Sequence, residues 1–223
     1  MDPKLRWRAA YEGQAPPESL PGGLRQYNGY RQARLYGLLQ SGLQALTADW
    51  AGRRVLDLGC GTGDTNGFLA ARNQVWGADF SLQMLSYARQ QYPALAQADA
   101  EALPFADGSF EALIATGLWQ CLAPQNRLLH EARRVLRPGG DLVLGWVLNA
   151  DYPLYWRGVQ FRLDPSVSLS LWSWGDLRAA AQAAGFEFVR ARAALFPVGN
   201  IGQVGGPWRY AAPAFSVRWR RGD

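Results

Sequence analysis

The chain has 223 residues, of which 48% are hydrophobic and 18% charged, enough to bury one good-sized core and suited to a single domain with elaborations. No apolar run approaches the roughly 20 residues that cross a bilayer, and the N-terminal "MDPKLRWRAAYEG" has positive charge but no apolar segment after it, so neither membrane insertion nor a secretory signal is expected. Cys60 and Cys121 are too few for a disulfide framework, His130 is the single histidine, and His/Cys clusters are absent; no metal is expected, and a cytoplasmic location is the default.

The net charge of +5 and the pI near 9.5 invite a nucleic-acid reading. The charge is nearly all arginine, with Lys4 the only lysine, and is spread along most of the chain. A merely basic surface is the preferred reading.

In chain order, a helix is predicted around Tyr30 to Leu46. The run "RRVLDLG" reads as a buried strand, short and apolar with turn residues behind it. "DTNGFLAAR" gives a short helix and "QVWGADF" a second strand. "SLQMLSYARQQY" carries apolar residues at helical spacing, with Ser81 placed to cap its start. "PALAQADA" and "SFEALIATG" are the third and fourth strands. "APQNRLLHEARRVLRPGG" is a helix that stops at Pro138-Gly139-Gly140, and "DLVLGWVLN" is the fifth strand. After a last helix, "WSWGDLRAAAQAAGF", the segments "EFVRARAALF" and "AFSVRWRR" alternate with period two and close the sheet as an antiparallel pair. Strands alternating with helices predict an α/β fold, a mostly parallel sheet with helices on both faces and ligands at the carboxyl ends of the strands.

The stretch "RVLDLGCGTGDTNGFL" places Gly59, Gly61 and Gly63 directly after the first strand. A phosphate-binding loop of the G-x-x-x-x-G-K-[ST] type is excluded by spacing and by the missing lysine. A G-x-G-x-x-G dinucleotide loop is disfavoured because Asp64 stands at the third glycine position, where it would face a pyrophosphate. Glycines let the backbone approach a ligand closely, a following helix start offers N–H groups to a carboxylate, and Asp57 and Asp64 suit a cationic group. A ligand with an amino-acid part, a nucleoside part and no phosphate meets all of this, as S-adenosylmethionine does. Asp79, about twenty residues past the first glycine, suits ribose hydroxyls.

"VLDLGCGTG" resembles the first motif of the class I S-adenosylmethionine-dependent methyltransferases, D/E-x-G-x-G-x-G. "ADFSLQMLSYAR" resembles their D-x-S-x-x-M-L-x-x-A, with Asp79, Ser81, Met84, Leu85 and Ala88 matching. "ADAEALPFADGSFEAL" and "RVLRPGG" resemble the segments that follow. The resemblance covers roughly residues 53 to 148 and is greatest to the methyltransferase type 11, ubiquinone- and menaquinone-methyltransferase-like members. It implies a Rossmann-like seven-stranded, mostly parallel sheet with a C-terminal antiparallel hairpin. It also implies S-adenosylmethionine as cofactor and S-adenosylhomocysteine as product. The cofactor positions it implies are Asp57, Gly59, Cys60, Gly61 and Gly63 in the loop, Asp79 at the ribose, Phe80 and Met84 along the adenine, Asp99 and Ala100 against it, and Thr116. The whole of 1–223 is then one domain, with a helical lid over 1–50, a cofactor-binding core over 53–148 and substrate-capping elements at 150–172 and 197–212.

Methyl transfer from a sulfonium needs chiefly alignment and exclusion of water. No residue stands out as a general base. His130 lies mid-helix and reads as a surface or packing residue; Cys121 lacks the Pro-Cys or Thr-Cys setting of pyrimidine-C5 methyltransferases and reads as structural. Trp119, Gln120, Tyr27, Tyr30 and Trp156 are the acceptor-pocket candidates, and the aromatic residues outside the core favour a small aromatic or lipophilic acceptor. The alternatives are an RNA or protein substrate held by Arg190, Arg192, Arg218 and Arg220, which alternate on the last two strands, and a catalytically silent nucleoside-binding partner module.

Overall fold

The computed structural model describes residues 30–122, 126–151, 171–195, 199–201 and 214–223. β1 (Arg54–Leu58) is buried at every residue after the first, which is why it reads as an apolar run and not as an alternation. It pairs in parallel with β2 (Gln74–Asp79) on one side and β4 (Phe110–Thr116) on the other. β3 (Ala94–Gln97) extends the sheet beyond β2, and β5 (Leu136–Leu148) lies beside β4, both in parallel. β6 (Phe186–Leu195), β7 (Gly199–Ile201) and β8 (Ala214–Arg221) complete an eight-stranded sheet of order β3-β2-β1-β4-β5-β8-β6-β7, in which β8 runs antiparallel to both neighbours.

Alternation along the strands feeds two cores. Leu56, Leu58, Leu113, Leu142 and Leu144 face α3 (Asn126–Val135) and α4 (Trp174–Ala183), which contribute Leu128, Leu129, Leu177 and Ala181. Val55, Val75, Ala112, Ile114 and Val143 face α1 (Tyr30–Leu46) and α2 (Leu82–Ala88), which contribute Leu43, Leu46, Leu85 and Ala88. Ser81 caps α2 as the sequence suggests, its Oγ accepting the Met84 N–H at 3.3 Å. Among the described residues no helix is long and apolar enough to cross a membrane.

Three elements differ from the sequence reading. The helix expected in "DTNGFLAAR" is a 3₁₀ turn, Gly67–Ala71, because the Asn66 side chain bonds elsewhere and makes no cap. The helix expected to stop at Pro138-Gly139-Gly140 ends at Val135. The β4–β5 ladder then pairs Phe110 with Leu136 and next Ala112 with Asp141, so residues 137–140 bulge out of the sheet. Inside the segment expected only to cap the substrate, Gly199–Ile201 pairs with β6 and adds an eighth strand to the seven expected.

Arg190 of β6 and Arg218 and Arg220 of β8 are paired with carboxylates of the fold, and of these Arg218 is buried. Arg218, 1% exposed, donates to the carboxylates of Asp49 and Asp141 and to the Leu46 carbonyl. Arg190 donates to Asp49 and to the same Leu46 carbonyl, while Arg53 and Arg220 donate to Asp141. Arg53 and Arg218 both lie 5.8 Å from the Trp50 ring centre. Charge and packing thus join the end of α1 to the start of β5 and to β8. Arg192, the fourth arginine of that face, donates to the Ala191 carbonyl.

Candidate functional site

β1 ends at Leu58, and the chain must reverse at once to clear β2. The Gly59 and Cys60 N–H groups donate to the Ala78 carbonyl at 2.8 and 3.1 Å, folding the loop over the carboxyl end of β2. Gly61 follows with φ of +55°, a left-handed conformation that glycine adopts without penalty. A Cβ built there would meet nothing within 4 Å, so this backbone borders open space. The Gly61 N–H donates to Asp79 Oδ2 at 2.9 Å, and the Ser81 N–H donates to Asp79 Oδ1 at the same distance. One carboxylate therefore ties the glycine loop to the start of α2. Burial pushes the Asp79 carboxyl above its ordinary range, against the pull of the backbone N–H groups of Ser81, Gly61 and Phe80.

Asp57 lies behind the loop, 1% exposed. Asn66 Nδ2 donates to its Oδ1 at 2.8 Å and the Tyr92 hydroxyl to its Oδ2 at 2.7 Å. Burial raises its carboxyl to about 6, opposed by the Tyr92 and Asn66 bonds and reinforced by the nearby charge of Asp79. Asn66 also reaches Thr116 Oγ1 at 3.2 Å, which links the loop to the end of β4. The Tyr92 ring covers β2 at Gly77, where a Cβ would come within 2.7 Å of it. Asn66 and Tyr92 are the site residues that sequence reasoning missed. Asn66 follows the glycines closely enough to have been considered, whereas nothing local marks Tyr92.

The other expected positions are distributed around this cradle. The Cys60 thiol is buried, and burial pushes its pKa upward, leaving a neutral filler. Phe80 is half-buried and Met84 buried at the start of α2, past the end of β2. Asp99 is half-buried past β3, its Oδ1 accepting the Glu101 N–H at 2.9 Å, beside buried Ala100. Past β4, Trp119 is wholly buried in a 3₁₀ turn and meets the Trp172 ring edge-on at 5.3 Å. Trp172 is fixed beside the end of β5 by its N–H to the Leu148 carbonyl at 3.1 Å. Trp119 Nε1 and Gln120 Oε1 are buried without a hydrogen-bond partner among the described residues. Tyr27, Trp156 and the Tyr30 side chain lie outside the described residues, as do most of 150–172 and 197–212. Cys121 bonds the Gly117 carbonyl and burial raises its thiol to about 12; His130 is exposed on α3.

Residues 56–144 match the model of a family described as a methyltransferase domain. The demethylmenaquinone methyltransferase of Thermus thermophilus is 41% identical over 108 residues, covering 44% of this chain and 49% of that protein. The malonyl-[acyl-carrier protein] O-methyltransferase of Methylococcus capsulatus is 36% identical over 117 residues, covering 48% of this chain and 42% of that protein. The chain thus spans about half the length of the curated relatives it matches. Among solved structures, an S-adenosylmethionine-dependent methyltransferase from Thermotoga maritima, a possible histamine N-methyltransferase, superposes with a TM-score of 0.69 at 21% identity, covering 84% of this chain and 91% of that one.

Residues 56–144 carry the sequence of the methyltransferase-domain family, and the sheet has the fold of its solved neighbours. Together these indicate S-adenosylmethionine as the cofactor. The residues present fit it. The Gly61 backbone faces open space, two carboxylates stand within the loop's reach, and residues 57–66 hold no lysine or arginine that would call for a phosphate.

Proposed function

We propose that the methyltransferase domain at residues 56–144 serves an enzyme that moves a methyl group from S-adenosylmethionine to a small, aromatic or lipophilic acceptor. The observation that carries this reading is the open space over the Gly61 backbone, which is tied to the Asp79 carboxylate and backed by buried Asp57. The cofactor supplies an already activated methyl group, so the chain's task is alignment and exclusion of water. Asp79 keeps acceptor capacity on both oxygens for the ribose hydroxyls, and the Gly59–Gly63 backbone receives the amino-acid part. Asp57 and Asp79 supply the negative potential that favours an ammonium and a sulfonium. Phe80, Met84, Asp99 and Ala100 flank the adenine. Half-buried Trp172, backed by the wholly buried Trp119, forms an aromatic wall past β4, close to the acceptor.

The acceptor class draws support from the relatives whose printed names include demethylmenaquinone, and from that aromatic wall. An RNA substrate has less support, because Arg190, Arg218 and Arg220 end on Asp49 and Asp141. The test is calorimetric titration with S-adenosylmethionine and S-adenosylhomocysteine, followed by transfer of labelled methyl to 2-methyl-1,4-naphthoquinol. Binding with transfer supports the reading. Binding without transfer to any small acceptor leaves a nucleoside-binding module, and absence of binding removes the cofactor site.

Asp57 makes the binding step sensitive to pH. Its carboxyl is raised to about 6, so it is neutral below that pH and negative above it. Cofactor affinity is therefore expected to tighten as pH rises through about 6. The groups that face Asp57 are Asp79, the Tyr92 hydroxyl, the Cys60 thiol and the Asn66 amide. Tyr92→Phe removes a bond that favours the charged form, so the inflection is expected to move to higher pH, while Asp57→Asn is expected to flatten it. Dissociation constants measured from about pH 5 to about 7.5 check this; identical profiles for all three proteins would take Asp57 out of the binding equilibrium.

A further inference from the structure

β5 breaks its own alternation at the mouth of the site. Leu142 and Leu144 face the α3–α4 core and Val143 the α1–α2 core. Strict alternation would send Trp146 to the α3–α4 side and Val147 to the other. The reverse is found: Val147 lies in the α3–α4 core, and Trp146 packs at the margin of the α1–α2 core. The exchange occurs at a bulge, where the ladder to β8 pairs Leu144 with Val217 and next Val147 with Phe215. One extra residue on β5 re-aims the side chain beside it.

The backbone is strained to do this. Trp146 has φ of +58° and is the one non-glycine with positive φ among the described residues. Its N–H donates to the Oγ of buried Ser216 at 3.1 Å, which holds the bulge in place. A strained bulky residue is an outlier from which a functional role is to be sought. Its position supplies one. Gly145 pairs with Thr116, and the Gly117 N–H donates to the Gly145 carbonyl at 2.9 Å, so Trp146 stands one residue beyond the level of Thr116. Thr116 belongs to the hydrogen-bonded chain that runs through Asn66 to Asp57. The indole is half-buried, packed at the margin of the α1–α2 core with its Nε1 buried, at the carboxyl end of the sheet on the α1 side.

We infer that the bulge exists to present Trp146 to the methyl acceptor, and that its indole is the surface against which a flat aromatic acceptor ring lies. The inference rests on the methyltransferase reading above and adds to it the residue that selects a planar acceptor. Ser216 is then a positioning residue, acting through the Trp146 backbone. Large aromatic rings stack in offset or edge-on geometry, and a planar indole rewards a planar partner over a flexible chain.

The test uses the full chain, with S-adenosylmethionine affinity measured by calorimetry and transfer measured to 2-methyl-1,4-naphthoquinol. Trp146→Gly keeps a backbone that accepts positive φ and removes only the indole. It is expected to raise the acceptor KM at least tenfold with cofactor affinity within twofold of wild type. Trp146→Phe is expected to stay within about threefold of the wild-type KM. Ser216→Ala is expected to raise KM several-fold alone and to add nothing in the Trp146→Gly background, which a merely structural serine would not do. An unchanged KM in Trp146→Gly, or a parallel loss of cofactor affinity, overturns the inference while the methyltransferase reading stands. Wild-type protein that binds cofactor yet neither binds nor methylates the naphthoquinol overturns the acceptor class and, with it, the role given to Trp146.

Discussion

Replacing Asp79 by alanine is expected to raise the dissociation constant for S-adenosylmethionine at least about a hundredfold. Hydrogen bonds to a charged acceptor contribute about 1.5–3 kcal/mol each, so in the ribose role proposed for it two hydroxyls would place about 3–6 kcal/mol on this carboxylate. At 1.4 kcal/mol per tenfold, that is a loss of about two to four decades. The side chain also holds the Gly61 and Ser81 N–H groups, so its removal loosens the cradle as well as the ligand. Asp79→Asn conserves shape but sets an amide N–H₂ against one of those donors, and a comparable loss is expected. Calorimetric titration of the folded variants checks both, and wild-type affinity in either would remove Asp79 from the site.

The second large effect concerns stability. Asp141→Asn is expected to destabilise the fold by about 3–5 kcal/mol, because it leaves the buried Arg218 guanidinium without the buried one of its two counter-charges. For a chain of this length that corresponds to a fall in Tm of about 6–20 °C, read by calorimetry or circular dichroism. Arg218→Met with Asp141→Leu is expected to recover much of the loss, since a packed apolar pair removes the stranded charge. Cofactor affinity is expected to stay unchanged in whatever fraction folds, because Asp141 lies at the opposite end of β5 from the glycine loop. The same cluster sets the acid limit. Burial pushes the Asp141 carboxyl up, but the Arg218 and Arg53 bonds outweigh it and hold it below its ordinary value; the Arg218 bond lowers Asp49 to about 2. Depressed carboxyls stabilise the fold fully above the unfolded value near 3.8 and lose that contribution as pH falls toward 2. Asp57 has the opposite sign. Its raised carboxyl stabilises the fold relative to neutral pH below 3.8, and that contribution is lost as pH rises through about 6.

The glycine loop was legible because its chemistry is contiguous. Asp57 to Gly63 state the turn, the close approach and the charge within seven residues, and Ser81 announces the helix it caps. What escaped depends on partners far apart in the chain. Tyr92 reaches Asp57 across 35 positions, and Arg218 reaches Asp49 across 169, so neither pairing leaves a local trace. "SVRWRR" reads as a strand with a charged outer face, yet Arg218 is 1% exposed, because Asp49 and Asp141 meet its charge on the inside. Period-two reasoning places the strand around Trp146 and fails on its direction, since a bulge flips the parity of everything after it.

The place of β8 between β5 and β6 fixes the order in which the sheet becomes whole. During synthesis β6 emerges before β8, and it has no hydrogen-bonding neighbour in the growing β1–β5 half until β8 arrives to join them. Until then β5 is a bare edge, with its N–H and C=O groups open to another nascent chain. The bulge at 144–147 and the charged Asp141, which has only Arg53 as a partner until Arg218 and Arg220 arrive, interrupt that edge, making it a poor template for mispairing. The features that shape the mature site and anchor α1 therefore also guard the half-made protein.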